Sequence, residues 1–343
     1  MISSPSSPTI REVVEPTVER HLDPNWARTS LVQDVQRGLG RHPLRLPPKW
    51  LYDDRGSDLF DQITRLPEYY PTEAERSILE REAANIALLS GADTIVELGS
   101  GTSDKMRTLL DTFWDTGQLE RFVPFDVSEA TLRDAAGQLS QRYPGLRVHG
   151  IIGDFTLHLA QLPRDGAPMV AFLGSTIGNL YVEERRSFLS TIADNLPRGG
   201  SLLLGADLVK PVDRLIAAYD DDQGVTAAFT RNMLSVLNRE LQADFQPETF
   251  DHVAFWAPVH ERMDLRLRVN DDQTVQIPGA GLTVELHDGE EIRVEVCTKF
   301  RVSTLSKELE DAGFDVRQFW TDDSGDFGLV LATARGVRLI LAE

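Results

Sequence analysis

The stretch IVELGSGTSDK, residues 95–105, runs from an apolar segment into a glycine turn, where Gly99 and Gly101 would let a backbone come close to a ligand. A dinucleotide-binding loop places a third glycine where this chain has Asp104. A pyrophosphate would be repelled there, because it needs a bare and closely approached helix amino terminus. Two more acids follow, Asp126 at the end of VPFD and Asp154 in GDF, beside Phe155. Ribose hydroxyls favour a carboxylate, an adenine amino group favours an acceptor, and a base favours a flat apolar neighbour. Glu97 and Asp104 flank the turn with negative charge, so the expected ligand is a nucleoside bearing positive charge. S-adenosylmethionine, with a sulfonium, an ammonium and no phosphate, meets that description. Singly, Asp126 and Asp154 read equally well as turn or cap residues; their order along successive strand ends carries the reading.

The elements that must position these groups alternate from Glu73 onward. EAERSILEREAANIALLSG sets Ile78, Leu79, Ile86 and Leu88 at helical spacing, and SDKMRTLLDTFWDTG does the same with Met106, Leu109, Leu110 and Phe113. TIVEL, RFVPFDV, LRVHGIIGDF, MVAFLGS and SLLLGADLV read as strands. Such alternation makes a mostly parallel sheet covered on both faces, an α/β doubly wound core; the glycine loop, Asp126 and Asp154 at successive strand ends and the strand pair closing the chain make a class I methyltransferase core the expectation. The pattern resumes near the end with a helix in STLSKELEDAGF and strands in VRQFWTD and DFGLVLATA. Residues 210–299 are too many for a simple connection, and DLRLRV, LTVELHDG and EIRVEVCTKF predict an antiparallel sheet there. The expected organisation is a disordered tail over 1–21 and an α+β substrate-recognition domain from 22–73 and 210–299. An S-adenosylmethionine-binding domain would then come from 74–209 and 300–343.

Composition narrows the function classes. A formal charge of −19 over 343 residues opposes binding to nucleic acid or an anionic membrane. The one cysteine, Cys297, excludes an internal disulfide and a cysteine-built metal site, and fits a reducing cytoplasm. No run approaches the roughly 20 apolar residues of a membrane span. Nothing in the pattern demands a partner chain, and a monomer is expected.

Longer words carry a family resemblance. PPKWLYDDRGSDLFDQITRLPEYYPTEAE, VELGSGTSDK, VPFDVS, GDF, FLGSTIGNL and DLVK…AYDD…GVTAAF occur in that order. They resemble the actinobacterial histidine-specific methyltransferases, which trimethylate the α-amine of L-histidine to hercynine for ergothioneine biosynthesis. The resemblance runs from about Pro47 to Ala334. It implies that Gly99, Lys105, Asp126, Asp154 and Phe155 contact S-adenosylmethionine, with Lys105 at the carboxylate of its methionine end. Tyr69, Asn179 and Tyr219 would hold the backbone groups of the amino acid, Tyr52 would stand near the amine, and Glu295 would read the imidazole. Asn179 and the tyrosine hydroxyls suit that task, since a carboxylate beside the amine would hold it as an unreactive ammonium.

Two pocket positions depart from the family pattern: Cys297 replaces a usual serine and Leu265 a usual methionine. A thiol is the weaker hydrogen-bond partner. N-methylation of tryptophan or tyrosine, and a non-catalytic protein binding S-adenosylmethionine or an amino acid, therefore stay open. Taken by pattern alone, Glu295 alternates with Val294 and Val296 as an exposed strand residue, and Asn179 after Gly178 reads as a turn.

Overall fold

The computed structural model describes residues 12–99 and 104–336. Its main sheet has eight strands in the order β1-β4-β3-β2-β5-β6-β13-β12. These are β1 (Thr17–Arg20), β2 (Thr94–Leu98), β3 (Arg121–Asp126), β4 (Arg147–Ile152), β5 (Pro168–Phe172), β6 (Ser201–Asp207), β12 (Phe314–Thr321) and β13 (Phe327–Ala334). β13 pairs antiparallel with both β6 and β12, while β1 to β6 pair in parallel. Outside β1, this is the class I methyltransferase core expected from the sequence. β2, β5 and β6 are buried along their whole length, which explains their unbroken apolar runs.

Helices α3 (Pro71–Ser90), α4 (Asp104–Asp115), α5 (Glu129–Arg142), α6 (Val182–Asn195) and α9 (Val302–Asp311) accompany this sheet. α3 starts with proline in its first turn and stops at Gly91, whose φ of 58° is left-handed. Leu88, at helical spacing with the core residues of α3, is instead 77% exposed. A second correction concerns the tail: residues 17–20 form β1, whose register runs from Thr17 opposite His149 to Arg20 opposite Ile152. Val18 and Leu22 pack there against Leu132 and Ile152, an apolar anchorage that a Ser/Pro-rich start concealed.

The rest of the chain supplies α1 (Trp26–Leu39), α2 (Asp54–Ile63), α7 (Val212–Tyr219) and α8 (Val225–Leu241). It also supplies β7 (Phe250–Ala257), β8 (Arg262–Val269), β9 (Gln273–Ile277), β10 (Leu282–Leu286) and β11 (Glu291–Thr298). The strands form an antiparallel three-stranded sheet, β11-β8-β7, and an antiparallel pair, β10-β9. One apolar core joins residues from Leu31 to Leu66 with residues from Leu215 to Cys297. Two others lie on the main sheet and draw only on residues 78–208 and 300–334. Among the described residues, no helix is long and apolar enough to cross a membrane.

Candidate functional site

At the carboxyl ends of the parallel strands, β2 runs into Gly99, which adopts a φ of +76° that favours glycine. Its N–H donates to the Phe125 carbonyl at 2.9 Å, and a side chain there would point at Phe155, 3.8 Å away. Asp126 closes β3, and its Oδ1 accepts the Ser128 N–H at 2.8 Å. Burial lifts its pKa to about 6, with the Ser128 and Val127 amides pulling the other way. Asp154 is buried, and its Oδ1 accepts from the Thr156 N–H (2.9 Å) and hydroxyl (2.6 Å). Phe155 lies edge-on to Phe172, centroids 5.5 Å apart. Next to these acids, Val127 and Leu157 leave apolar surface exposed. Carboxylates alternating with apolar faces suit a nucleoside. Gly101 lies outside the described residues.

Lys105 donates to Glu75 at 2.5 Å. Glu75 is wholly buried and also accepts the Gly174 N–H, at 2.9 and 3.0 Å from its two oxygens. A Cβ on Gly205 would stand 2.0 Å from Glu75 Oε1, so a glycine in β6 makes room for this carboxylate. Lys105, expected at the cofactor's carboxylate, thus has one of its three donors committed to the protein. Glu75 escaped the sequence reading because an acid in the first turns of a helix is ordinarily solvated.

On the other side of the strand ends, Asn179 closes a 3₁₀ turn spanning Thr176–Asn179. Gly178 in that turn touches β11 so closely that a Cβ would lie 2.8 Å from the Thr298 carbonyl oxygen. This approach brings Asn179 Nδ2 to Glu295 Oε1 at 2.7 Å. The two residues assigned to different parts of the substrate are therefore bonded to each other. Glu295 is 8% exposed, against the exposed position that alternation gives it. A register shift between Arg293 and Glu295 is the physical reason, since it interrupts the inside–outside pattern and buries 294–297 in a row. Burial raises the Glu295 pKa to about 7, opposed by the Asn179 bond, the Lys299 charge and the Cys297 thiol.

Leu265 stands opposite Glu295 on β8 and is buried, and Cys297 is buried beside Glu295 and Tyr219. Burial pushes the thiol pKa well up, so it stays neutral. Tyr219 ends α7; its carbonyl accepts from His252 Nε2 at 2.8 Å and its ring meets Tyr69 edge-on at 6.1 Å. From Tyr69 the aromatic contacts continue through Phe60 (6.2 Å) to Tyr52 (5.4 Å). Tyr52 is 43% exposed, while its ring packs edge-on against Phe60 and Phe229. Burial raises the hydroxyl pKa of Tyr52, Tyr69 and Tyr219 well above the ordinary value. All three hydroxyls therefore stay neutral.

Behind this wall, the wholly buried Asp207 at the end of β6 pairs with Lys210 and, at 2.7 Å, with Lys299. Tyr70 donates to the same carboxylate, 2.8 Å from Oδ2. The lysines hold the Asp207 pKa low against the opposing effect of burial. Sequence reasoning missed this group, whose members come from three distant segments and look singly like surface charges.

Over residues 31–334 the chain matches the family described as SAM-dependent, histidine-specific methyltransferases. It is 51% identical over 316 residues to the histidine N-alpha-methyltransferase of Mycolicibacterium smegmatis, covering 92% of this chain and 98% of that protein. The histidine N-alpha-methyltransferase of Mycobacterium tuberculosis is 49% identical with the same coverage. Ergothioneine biosynthesis protein 1 of Schizosaccharomyces pombe is 35% identical over 217 residues, 60% of this chain and 28% of that protein.

Proposed function

Because the chain belongs to the S-adenosylmethionine-dependent, histidine-specific methyltransferases, we propose that it trimethylates the α-amine of L-histidine to hercynine, for ergothioneine biosynthesis. The observation that carries the substrate is the buried Asn179–Glu295 pair in a pocket walled by tyrosines. A carboxylate kept from water at this cost needs a polar partner, and an imidazole N–H supplies one. Its pKa of about 7 lets Glu295 ionise as that N–H arrives, because hydrogen bonding favours the charged form.

When bound, S-adenosylmethionine supplies an electrophilic methyl group on sulfur. Asp126, Asp154, Phe155 and Gly99 would hold its nucleoside, and Lys105 its carboxylate end. Asn179 and the hydroxyls of Tyr52, Tyr69 and Tyr219 orient the amino acid while leaving the amine lone pair free. Positioning of this kind lowers a barrier by up to about 7–11 kcal/mol in favourable intramolecular cases. The edge-to-face wall from Tyr219 to Tyr52 also accommodates a growing cation, each ring face attracting it by about 0.5–2 kcal/mol.

In this reading residues 74–209 and 300–343 serve the cofactor, and 22–73 with 210–299 serve the substrate. Their separate apolar cores support that division. The protein works as a cytoplasmic monomer. Incubation with S-adenosylmethionine and a mixture of the common amino acids, followed by mass spectrometry, tests the proposal. Trimethylated histidine as the one product is expected; methylated tryptophan or tyrosine, or no product, would overturn it.

A further inference from the structure

Glu295, Cys297 and Lys299 recur at every second residue, so beyond the bulge they line one face. The first two belong to the pocket; the third is buried beneath it. Lys299 Nζ lies 2.7 Å from Asp207 Oδ2 and 2.7 Å from the Tyr219 hydroxyl. Lys210 occupies the other side of the same carboxylate and also donates to the Tyr70 hydroxyl at 2.7 Å. Nearby Arg214 is balanced by Asp326, 2.5 Å away. Two ammonium groups thus share one carboxylate beneath the pocket, in a chain whose total is −19.

The direction of the Lys299–Tyr219 bond has a chemical consequence. An ammonium only donates, so the Tyr219 oxygen accepts and its single proton is left for another acceptor. The neighbouring Cys297 sulfur is a weak one. An anionic oxygen is a much better one, and a donor polarised by an adjacent ammonium binds it more tightly.

We propose that Lys299 is a positioning residue that sets substrate class: through Tyr219 it supplies the polarity and charge that select an α-carboxylate, restricting the enzyme to amino acids over their amides and decarboxylated amines. This rests on the reading of the pocket as an amino-acid N-methyltransferase site.

The test is steady-state methylation of histidine, histidinamide and histamine by the wild type, Lys299→Met and Tyr219→Phe, with S-adenosylhomocysteine binding measured by calorimetry. Lys299→Met should lower kcat/KM for histidine about ten- to a hundredfold, the size of one charge-assisted hydrogen bond, mainly through KM. Histidinamide and histamine should change far less, and cofactor-product affinity should hold. Equal losses on all three substrates with that affinity intact would overturn the proposal. If Lys299→Met fails to fold, Tyr219→Phe decides, because it leaves the Lys299–Asp207 pair in place. It must lose the preference for histidine over histidinamide, and keeping it would overturn the proposal. A wild type that binds S-adenosylhomocysteine yet methylates none of the three would sink the histidine reading separately. Binding of histidine against histidinamide without turnover would then still decide the role of Lys299.

Discussion

The two sides of the site are built in opposite ways. On the proposed cofactor side, Gly99, Asp126 and Asp154 lie at the ends of consecutive strands of one sheet; Asp126 and Asp154 are held by neighbours two residues away, and Gly99 by Phe125 on the adjoining strand. On the proposed substrate side, Tyr52, Tyr69, Asn179, Tyr219 and Glu295 come from separate segments and are held by contacts such as Asn179–Glu295, 116 residues apart. A site assembled from distant segments depends on the groups that tie them together, and those are buried and charged.

The sharpest way to break this contrast is Asp207→Ala. It would leave Lys210 and Lys299 buried without their carboxylate, a loss expected to cost about 3–5 kcal/mol. Urea unfolding should show that drop, whereas a change under about 1 kcal/mol would mean that the ion cluster contributes little to holding the halves together.

A somewhat smaller effect separates the sides by pH. Burial raises Glu295 from an ordinary 4.5 to about 7 and Asp126 from 3.8 to about 6. A raised folded-state pKa means that the fold binds the proton better than the unfolded chain does. That contribution is complete below the ordinary values and is lost as pH rises, by about pH 6 for Asp126 and about 7 for Glu295. Glu295→Gln should therefore remove up to about 3 kcal/mol of the stability lost between pH 5 and 8. Urea titrations of the ligand-free protein at several pH values would show it; an unaltered slope would mean that Glu295 titrates normally.

Cys297→Ser is the gentlest probe. A hydroxyl beside Glu295 is a stronger hydrogen-bond partner than the thiol, so KM for histidine should fall by an amount within about 0.5–1.5 kcal/mol, with cofactor affinity unchanged. A rise in KM would indicate that the pocket is shaped around sulfur.

The same contrast explains what could be read from the chain beforehand. The strands of the core and the positions of Asp126 and Asp154 at their ends were legible because period, turn and strand end are local signals. The burial of Glu295 was not, since it depends on a bulge that alternation does not reveal. Asn179 looked like a turn residue and is one; its bond to Glu295 follows from the close approach of Gly178 to Thr298. For both, the family resemblance supplied what spacing withheld. Glu75, Asp207 and Lys299 were missed because a charged residue reads as solvated until its partners, far away in sequence, are known. β1 was missed because its anchors, Val18 and Leu22, stand isolated in polar text.

On the proposed reading, two separately built sites meet at the strand ends. Calorimetry of S-adenosylhomocysteine and of histidine binding to Asp126→Ala and Glu295→Ala tests it most directly. Asp126→Ala should lose affinity for S-adenosylhomocysteine and keep most of its affinity for histidine, with the reverse for Glu295→Ala. Equal losses of both ligands in both variants would contradict the account.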